Sequence, residues 1–245
     1  MVDAAVRTGG KATGNKAAGV KATRNPEASR ARILEAARIE FVTQGLNGAR
    51  VDRIAEQSGV NKNLMYHYFG SKDALYLEVL ERIYSGLRKS QKDDDVRGLP
   101  PLQGMRQLVG NTFDHFVATP DLIRLMSIEN IHYAQHLKSS TTIKPLYGGL
   151  LDTLRTLLRR GQADGVFRSE VDEVDLYLSI SGLAYFFLSN QHTLSWLLDR
   201  DFVAAKRVAG RRRHVVEMVL SYLTHIPPDE AGGAEPEVIT SEDGQ

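Results

Sequence analysis

Four aromatic side chains stand together at residues 66–69, within the stretch GVNKNLMYHYFGSKDAL. Lys62 precedes this run and Lys72 follows it. Tyr and His can donate hydrogen bonds to phosphate oxygens while their rings pack against sugars, and Lys adds positive charge. Phe69 differs from its neighbours because the apolar pattern directs it inward. These residue types at this spacing indicate a surface that contacts nucleic acid.

Apolar residues at helical spacing predict four helices around this stretch. The first starts near Pro26, and the second covers VDRIAEQSG. Asn61 caps the third, which runs to about Phe69, and Ser71 caps the fourth. Two short helices joined by a tight, Gly-containing turn and flanked by longer helices are a helix-turn-helix arrangement. In such a unit the second short helix enters the major groove of DNA.

The charge of the chain is distributed unevenly, although the net value is only +1. Residues 1–72 hold 12 Lys and Arg against 6 Asp and Glu, whereas residues 227–245 hold 6 acids and no base. A basic front on a nearly neutral body is typical of proteins that bind a polyanion. A basic leader without a specific role is the alternative explanation of the charge.

Several classes of protein are disfavoured by what the sequence lacks. It contains no cysteine, no apolar run near the roughly 18 residues of a membrane span, and no signal-peptide pattern at its start. It also lacks a G-x-S-x-G motif and a phosphate-binding Gly loop. His132 and His136 are spaced like two metal ligands on a helix, but no third ligand is evident. We therefore expect a soluble cytoplasmic protein that is not an enzyme and has no metal, cofactor or membrane partner.

The remaining sequence also predicts helices, including one at residues 121–138 and a last pair at about residues 173–198 and 201–224. We expect an all-α fold of about nine helices, in which a three-helix head with the helix-turn-helix precedes a helical bundle that dimerises. The predicted segments are a disordered basic arm (1–25), a DNA-binding domain (26–72), a ligand-binding and dimerisation domain (73–226) and a disordered acidic tail (227–245).

Residues 31–80 resemble the DNA-binding domain of the tetracycline-repressor (TetR) family of bacterial regulators. The resemblance rests on ILEAA in the first helix, RIAEQSGV in the second, and YHYFGSKDAL across the third and fourth. It implies a homodimer that binds a near-palindromic operator in double-stranded DNA. The candidate DNA contacts are Arg50, Asn61, Lys62, Asn63, Leu64, Tyr66, His67 and Lys72.

Two of these candidates depart from the family pattern. Leu64 stands where the family often has Thr, and it offers an apolar contact such as one to a thymine methyl group. Arg50 stands where the family commonly has a Thr that caps the second helix. We therefore expect Arg50 to contribute charge towards a phosphate rather than a cap.

The helix predicted at residues 173–198 is apolar almost all round, so we expect it to be buried on all sides. In the resembled family the last two helices build a four-helix dimer interface. A central core helix of a monomer is the alternative. The candidate interface residues are Leu176, Ile180, Leu183, Phe187, Val215 and Val219.

Aromatic and polar residues interrupt the apolar helices of the C-terminal region, as in the walls of small-molecule pockets. The candidate ligand contacts are Phe113, Phe116, His132, Tyr133, His136, Tyr185, Asn190 and Trp196. The segment IRLMSIENIHYAQHL is weakly similar to the subgroup that includes the pyrimidine-utilisation regulator. We expect a planar or aromatic metabolite as effector.

The predicted function is a ligand-responsive repressor that a small molecule releases from its operator. A related protein that activates transcription is one alternative. An all-helical adaptor that binds nucleic acid without sequence specificity is another, although an adaptor has no need of Lys62, Tyr66, His67 and Lys72 on one edge.

Overall fold

A computed structural model of the protein describes residues 25–90 and 96–225. These residues contain ten complete α-helices, one short 3-10 turn and no strand, which confirms the all-α fold. The helices are α1 (Pro26–Gly48), α2 (Val51–Ser58), α3 (Lys62–Phe69), α4 (Lys72–Ser90), α5 (Pro101–Ala118), α6 (Pro120–Ile131), α7 (Ile143–Ala163), α8 (Glu173–Ser189), α9 (Gln191–Leu197) and α10 (Ala205–Thr224). The 3-10 turn (Leu137–Ser139) lies between α6 and α7.

The first three helices form a small head around one apolar centre. Asn25 starts α1, because its side-chain oxygen accepts hydrogen bonds from the backbone N–H groups of Glu27 and Ala28. The buried centre joins Phe41 of α1, Ile54 of α2 and Met65 of α3. The short helices α2 and α3 are therefore held by their buried faces, and their opposite faces are exposed to solvent.

Helix α4 connects this head to the rest of the molecule. Tyr76 of α4 is fully buried, and its ring meets the edge of Phe41 on α1 at a centroid distance of 5.1 Å. The Tyr76 hydroxyl donates to Glu129 of α6 at 3.1 Å. The same side chain thus contacts the head and the C-terminal body.

The body is built around α5, which packs against α7, α8 and α10. Its apolar centre includes Val109 of α5, Leu157 of α7, Ile180 of α8 and Val215 of α10, none of them more than 1% exposed. No helix among the described residues is long and apolar enough to cross a membrane.

The predicted helix at 173–198 is divided in the structure, which is one reason for finding more helices than the expected nine. The break lies at Asn190, whose side-chain amide donates to the Phe186 carbonyl at 2.9 Å and so completes the end of α8. The last helix begins at Ala205 rather than Asp201, because the Asp201 carboxylate accepts the N–H groups of Val203 and Ala204 in a turn.

The helix predicted through residues 121–138 also ends early, at Ile131. Tyr133 and Ala134 then take φ values of 55° and 56°, which no helix accommodates. The predicted arm, apart from Asn25, and the predicted tail lie outside the described residues.

Candidate nucleic-acid interface

The helix α3 is held by one face and one cap. Met65 and Phe69 bury that face in the head, at 2% and 8% exposure. The Asn61 side chain accepts the Leu64 N–H at 2.8 Å and fixes the start of the helix. Before it, Gly59 takes a left-handed φ of 64°, which allows the tight turn between α2 and α3. The turn and the cap together position the outer edge of α3.

The outer edge of α3 carries the predicted DNA contacts. Lys62, Asn63 and His67 are exposed, and Tyr66 is 44% exposed. Lys72 is partly exposed at the start of α4, where Ser71 caps the helix by accepting the Ala74 N–H at 3.0 Å. We call these five residues (Lys62, Asn63, Tyr66, His67 and Lys72) the α3 edge.

Leu64 is less available than these five, because it is half-buried and packs against the core of the head. Asn61 is exposed, but its side-chain oxygen already accepts the Leu64 N–H as the cap of α3. Lys62 forms an ion pair with Asp52 of α2. A phosphate would therefore have to compete with Asp52 for this ammonium group.

Arg50 precedes α2 and makes no side-chain capping bond, as the sequence predicts. The buried carboxylate of Glu40 on α1 holds the start of α2 by a different contact: its Oε1 accepts the backbone N–H of Arg50 at 2.9 Å and lies 3.4 Å from Arg53 Nη1. The sequence analysis missed this contact. A glutamate in the apolar stripe of α1, next to Phe41, was the available signal.

The head is joined to the body by ion pairs as well as by α4. Arg38 of α1 contacts Glu35 on its own helix and Asp121 in the first turn of α6. Hydrogen bonding to Glu35, followed by the charge of Asp121, raises the pKa of the Arg38 guanidinium above its ordinary value. Arg38 therefore links α6 directly to the head.

A buried carboxylate also organises the junction between α6 and α4. Glu129 is 1% exposed and accepts hydrogen bonds from the Tyr76 hydroxyl and from the backbone N–H groups of His136 and Leu137. His136 Nδ1 lies 3.0 Å from the same carboxylate. Burial, and then the nearby charge of Glu129, raise the pKa of Tyr76. The phenol therefore stays protonated and donates to Glu129.

Aromatic side chains of the body meet between α5 and α8. The rings of Phe116 and Tyr185 are 6.3 Å apart, and those of Phe113 and Phe187 are 6.5 Å apart. The Tyr185 hydroxyl lies 2.8 Å from Ser127 Oγ of α6. Phe116 also lines a cavity of about 290 Å³ between α5, α6 and the α8–α9 junction, together with residues such as Ile123, Arg124, Leu188 and His192.

Comparison with known proteins identifies this arrangement. The chain is 34% identical to the HTH-type transcriptional repressor NicS of Pseudomonas putida over 202 residues, which are 82% of this chain and 95% of NicS. The family described as bacterial regulatory proteins of the tetR family matches residues 33–79, and the tetracyclin repressor-like C-terminal domain matches residues 101–219. The chain belongs to the TetR family.

Other TetR-family proteins support the same conclusion. The repressor SCO4008 of Streptomyces coelicolor is 33% identical over 66% of this chain and 80% of its own length. The crystal structure of the transcriptional regulator SCO4942, also from Streptomyces coelicolor, is 31% identical, covers 80% of this chain and 98% of its own, and superposes with a TM-score of 0.60. The prediction of a DNA-binding transcriptional regulator is confirmed. The weak similarity to the pyrimidine-utilisation regulator stays a prediction.

The structure of this TetR-family regulator separates the predicted ligand contacts into two groups. Phe113, Phe116 and Tyr185 lie close together, as described above. Tyr133 and Trp196 do not join them, because their side chains are 85% and 82% exposed. His132 follows the last turn of α6, His136 is bound to Glu129, and Asn190 caps α8. His132 and His136 lie beyond the end of α6, so they do not share a helical face, and the described residues contain no group of three or more side chains that could hold a metal ion.

The sequence analysis also missed a second aromatic group in the body. Tyr147 of α7 lies between Tyr84 of α4 and Tyr177 of α8, with ring centroids 6.2 Å from each. Burial raises the pKa of all three phenols. The three helices are therefore joined by neutral, hydrogen-bonding aromatic side chains.

The residues predicted for the dimer interface stay a prediction, but most of them are buried within the protomer. The structure buries Leu176, Ile180, Phe187, Val215 and Val219 inside the protomer, and Leu183 is half-buried, because these residues face α5 and the facing surfaces of α8 and α10. The opposite faces of the same helices carry exposed apolar residues. Leu178 and Phe186 are 59% and 58% exposed on α8, and Met218 and Tyr222 are 45% and 48% exposed on α10. We call these four residues the outer stripe.

Proposed function

We propose that this protein is a transcriptional repressor that binds a near-palindromic operator as a homodimer and is released by a small molecule. The observation that carries the proposal is the α3 edge, a set of basic and hydrogen-bonding side chains on the exposed face of a helix that is fixed at both ends. NicS and SCO4008, which are named as repressors, support the sign of regulation.

The α3 edge suits a helix that enters the major groove. Asn63, near the start of α3, would approach base edges, with Leu64 beside it. Lys62, Tyr66, His67 and Lys72 would contact phosphates at the groove margin. The N-termini of α3 and α4 add backbone N–H groups and positive helix dipoles, which favour anions. Arg50 and Asn61 complete the candidate DNA-binding surface from the turns that precede α2 and α3.

The outer stripe supports the proposal of a homodimer. Exposed apolar side chains at Leu178, Phe186, Met218 and Tyr222 occupy one face of two neighbouring helices. A two-fold contact would pair this face with itself and bury all four residues in both protomers. A palindromic operator would require the two α3 helices of such a dimer to meet half-sites roughly 34–36 Å apart, one turn of DNA.

The small molecule would bind in the body, where apolar walls carry a few polar groups. The cavity lined by Phe116, and the adjoining Tyr185 and Ser127, have this composition and suit a planar or aromatic metabolite. Displacement of α6 by such a molecule would act on Tyr76 through Glu129 and on Arg38 through Asp121. A release of about 100-fold requires only about 2.7 kcal/mol of coupling.

Selection of bound duplexes from a random DNA pool tests this function, and a salt concentration of about 0.15 M limits nonspecific binding. We expect an inverted repeat to be recovered. Binding without a common motif, abolished as salt rises, would contradict the proposal and favour the adaptor alternative. A reporter gene controlled by the recovered repeat then shows whether the protein represses or activates transcription. The activator alternative is relevant here because FasR of Mycolicibacterium smegmatis, a relative with 28% identity, is named as an activator.

A further inference from the structure

A cleft outside the regions used above lies between the end of α8, the connector that follows α9, and the first half of α10. Its volume is about 690 Å³, and its lining includes Phe187, Phe202, Lys206, Arg207, Arg211 and Arg213. Small-molecule sites in proteins typically measure about 300–1,000 Å³. The cleft is therefore large enough for a compact organic ligand, and none of the predicted ligand contacts lines it.

Two aromatic rings form the apolar part of the cleft. Phe187 of α8 and Phe202 of the connector meet edge to face, with ring centroids 5.9 Å apart. The guanidinium carbon of Arg211 lies 5.7 Å from the Phe187 ring centre, and that of Arg207 lies 5.6 Å from the Phe202 ring centre. Attraction between a cation and a ring face holds both arginines beside an apolar surface.

The charge of the cleft is strongly positive. Four Lys and Arg side chains line it against one carboxylate, that of Asp201. Asp201 is committed to the N–H groups of Val203 and Ala204. Within residues 25–90 and 96–225, none of the four cations lies within 4.0 Å of a carboxylate oxygen. Arg212, the neighbour on the same helix, differs, because it pairs with Asp114 at 2.7 Å.

Arg211 shows most directly that a partner is missing. One of its terminal nitrogens donates to the Leu183 carbonyl at 3.2 Å, but its Nε is buried and has no hydrogen-bond partner among the described residues. Burial lowers the pKa of this guanidinium, and no carboxylate compensates the loss of water. A buried donor without an acceptor is destabilising, and more so when it is charged.

We propose that this cleft binds an organic anion, whose charged group is held by Arg207 and Arg211 and whose apolar body lies on Phe187 and Phe202. Carboxylate and phosphate share the chemistry that a guanidinium recognises, since both accept two parallel N–H bonds. The site is separate from the cavity proposed for the effector, which is lined by Phe116. Its occupancy neutralises the charge excess of the cleft.

A pair of fluorescent probes tests the site in the full-length protein. Anilinonaphthalene sulfonate is an aromatic anion, and N-phenylnaphthylamine is a neutral compound of similar shape. We expect the anion to bind with one saturable site per protomer. Arg207→Gln should weaken it about tenfold, because a charge-assisted hydrogen bond is lost, and should leave the neutral probe unchanged. Arg207 is exposed, so this variant should fold normally.

Further variants and competitors sharpen the result. Arg211→Lys retains the charge but loses the planar guanidinium, so it should also weaken binding of the anionic probe. Arg212→Gln is the matched control, because Arg212 is paired with Asp114. Displacement by naphthoate or by naphthyl phosphate identifies the preferred group. Absence of saturable anion binding, or equal affinity in wild type, Arg207→Gln and Arg211→Lys, would overturn the proposal. Equal loss in Arg212→Gln would overturn it too, since it would indicate a general effect of surface charge.

Discussion

The α3 edge and the outer stripe are both the free faces of helices that bury their opposite faces. On α3, Met65 and Phe69 face the core and Lys62, Tyr66 and His67 face outward. On α8, Ile180 faces the core and Leu178 and Phe186 face outward. The buried faces are alike in chemistry, but one free face is basic and hydrogen-bonding while the other is apolar.

This difference shows that the exposed helix faces, which do not pack in the core, determine which partner each helix can bind. A basic, hydrogen-bonding face gains by contact with a polyanion, whose counterions are released on binding. An apolar face gains about 25 cal/mol for each Å² that it removes from water, so it favours another apolar face. In the proposed function, one protomer therefore offers one surface for DNA and another for a second copy of itself.

Charging the outer stripe should have the largest effect. In the double variant Leu178→Glu and Phe186→Glu, four carboxylates would face one another in the dimer and the burial of four apolar side chains would be lost. Since each such burial contributes about 1.5–3 kcal/mol, we expect the dimer dissociation constant to rise by more than about 100-fold. Sedimentation over a range of concentrations measures it.

The control for this variant is Ile131→Glu, which charges a 71% exposed apolar residue at the end of α6 rather than on α8 or α10. It should leave the dimer intact. If the double variant remained dimeric at the concentrations where wild type is dimeric, the outer stripe would not be the interface.

Removing side chains from the α3 edge should have the next largest effect, and on DNA alone. We expect Tyr66→Ala and Lys72→Ala each to weaken operator binding about tenfold, because each removes a phosphate contact. Lys72→Ala should also lower the slope of log affinity against log salt by about 1. Band-shift titrations at several salt concentrations measure both quantities, with sedimentation to confirm that the dimer persists.

Arg159→Ala is the matched control for charge, because Arg159 is an exposed cation on α7, far along the chain from α3. An equal loss of affinity in this variant would mean that net charge, rather than the α3 edge, determines binding.

Neutralising Asp52 should have the smallest effect and the opposite sign. Asp52→Asn frees Lys62 for phosphate, and because an exposed ion pair contributes about 0.2–1 kcal/mol, operator affinity should rise by at most about fivefold. Glu56→Gln removes a like charge from the same helix without touching Lys62. If both variants gained equally in band-shift titrations, release of Lys62 would not be the cause.

The helices of the head could be predicted from the sequence because the residues that start and end them lie close together along the chain. Asn61, Ser71 and Gly59 specify caps and a turn within three or four residues, so the bounds of α3 could be predicted from the chain itself. Glu40 was missed because its partner, the Arg50 backbone, lies on another element and only packing reveals it. The tight turn made α3 predictable, whereas the start of α2 is held by a hydrogen bond from the Arg50 N–H to Glu40 on another helix.

The burial of residues in the body was harder to predict, because apolar residues there occur both in the core and on the exposed faces of helices. Helix α8 is apolar almost all round, so the pattern could not decide which side faces α5 and which faces solvent. Ile180 was therefore assigned to the interface and Leu178 was not, although the structure shows the reverse exposure. The break at Asn190 and the end of α6 at Ile131 depend on single side-chain or backbone contacts that periodicity does not register.

The most direct test compares the affinity of the protein for the full inverted repeat with its affinity for a duplex that carries one half-site. Wild type should prefer the full repeat by about 100-fold or more, and the double variant Leu178→Glu and Phe186→Glu should bind the two duplexes with nearly equal affinity. Equal affinity of wild type for the two duplexes would contradict the claim that two α3 edges, joined through the outer stripe, read one operator.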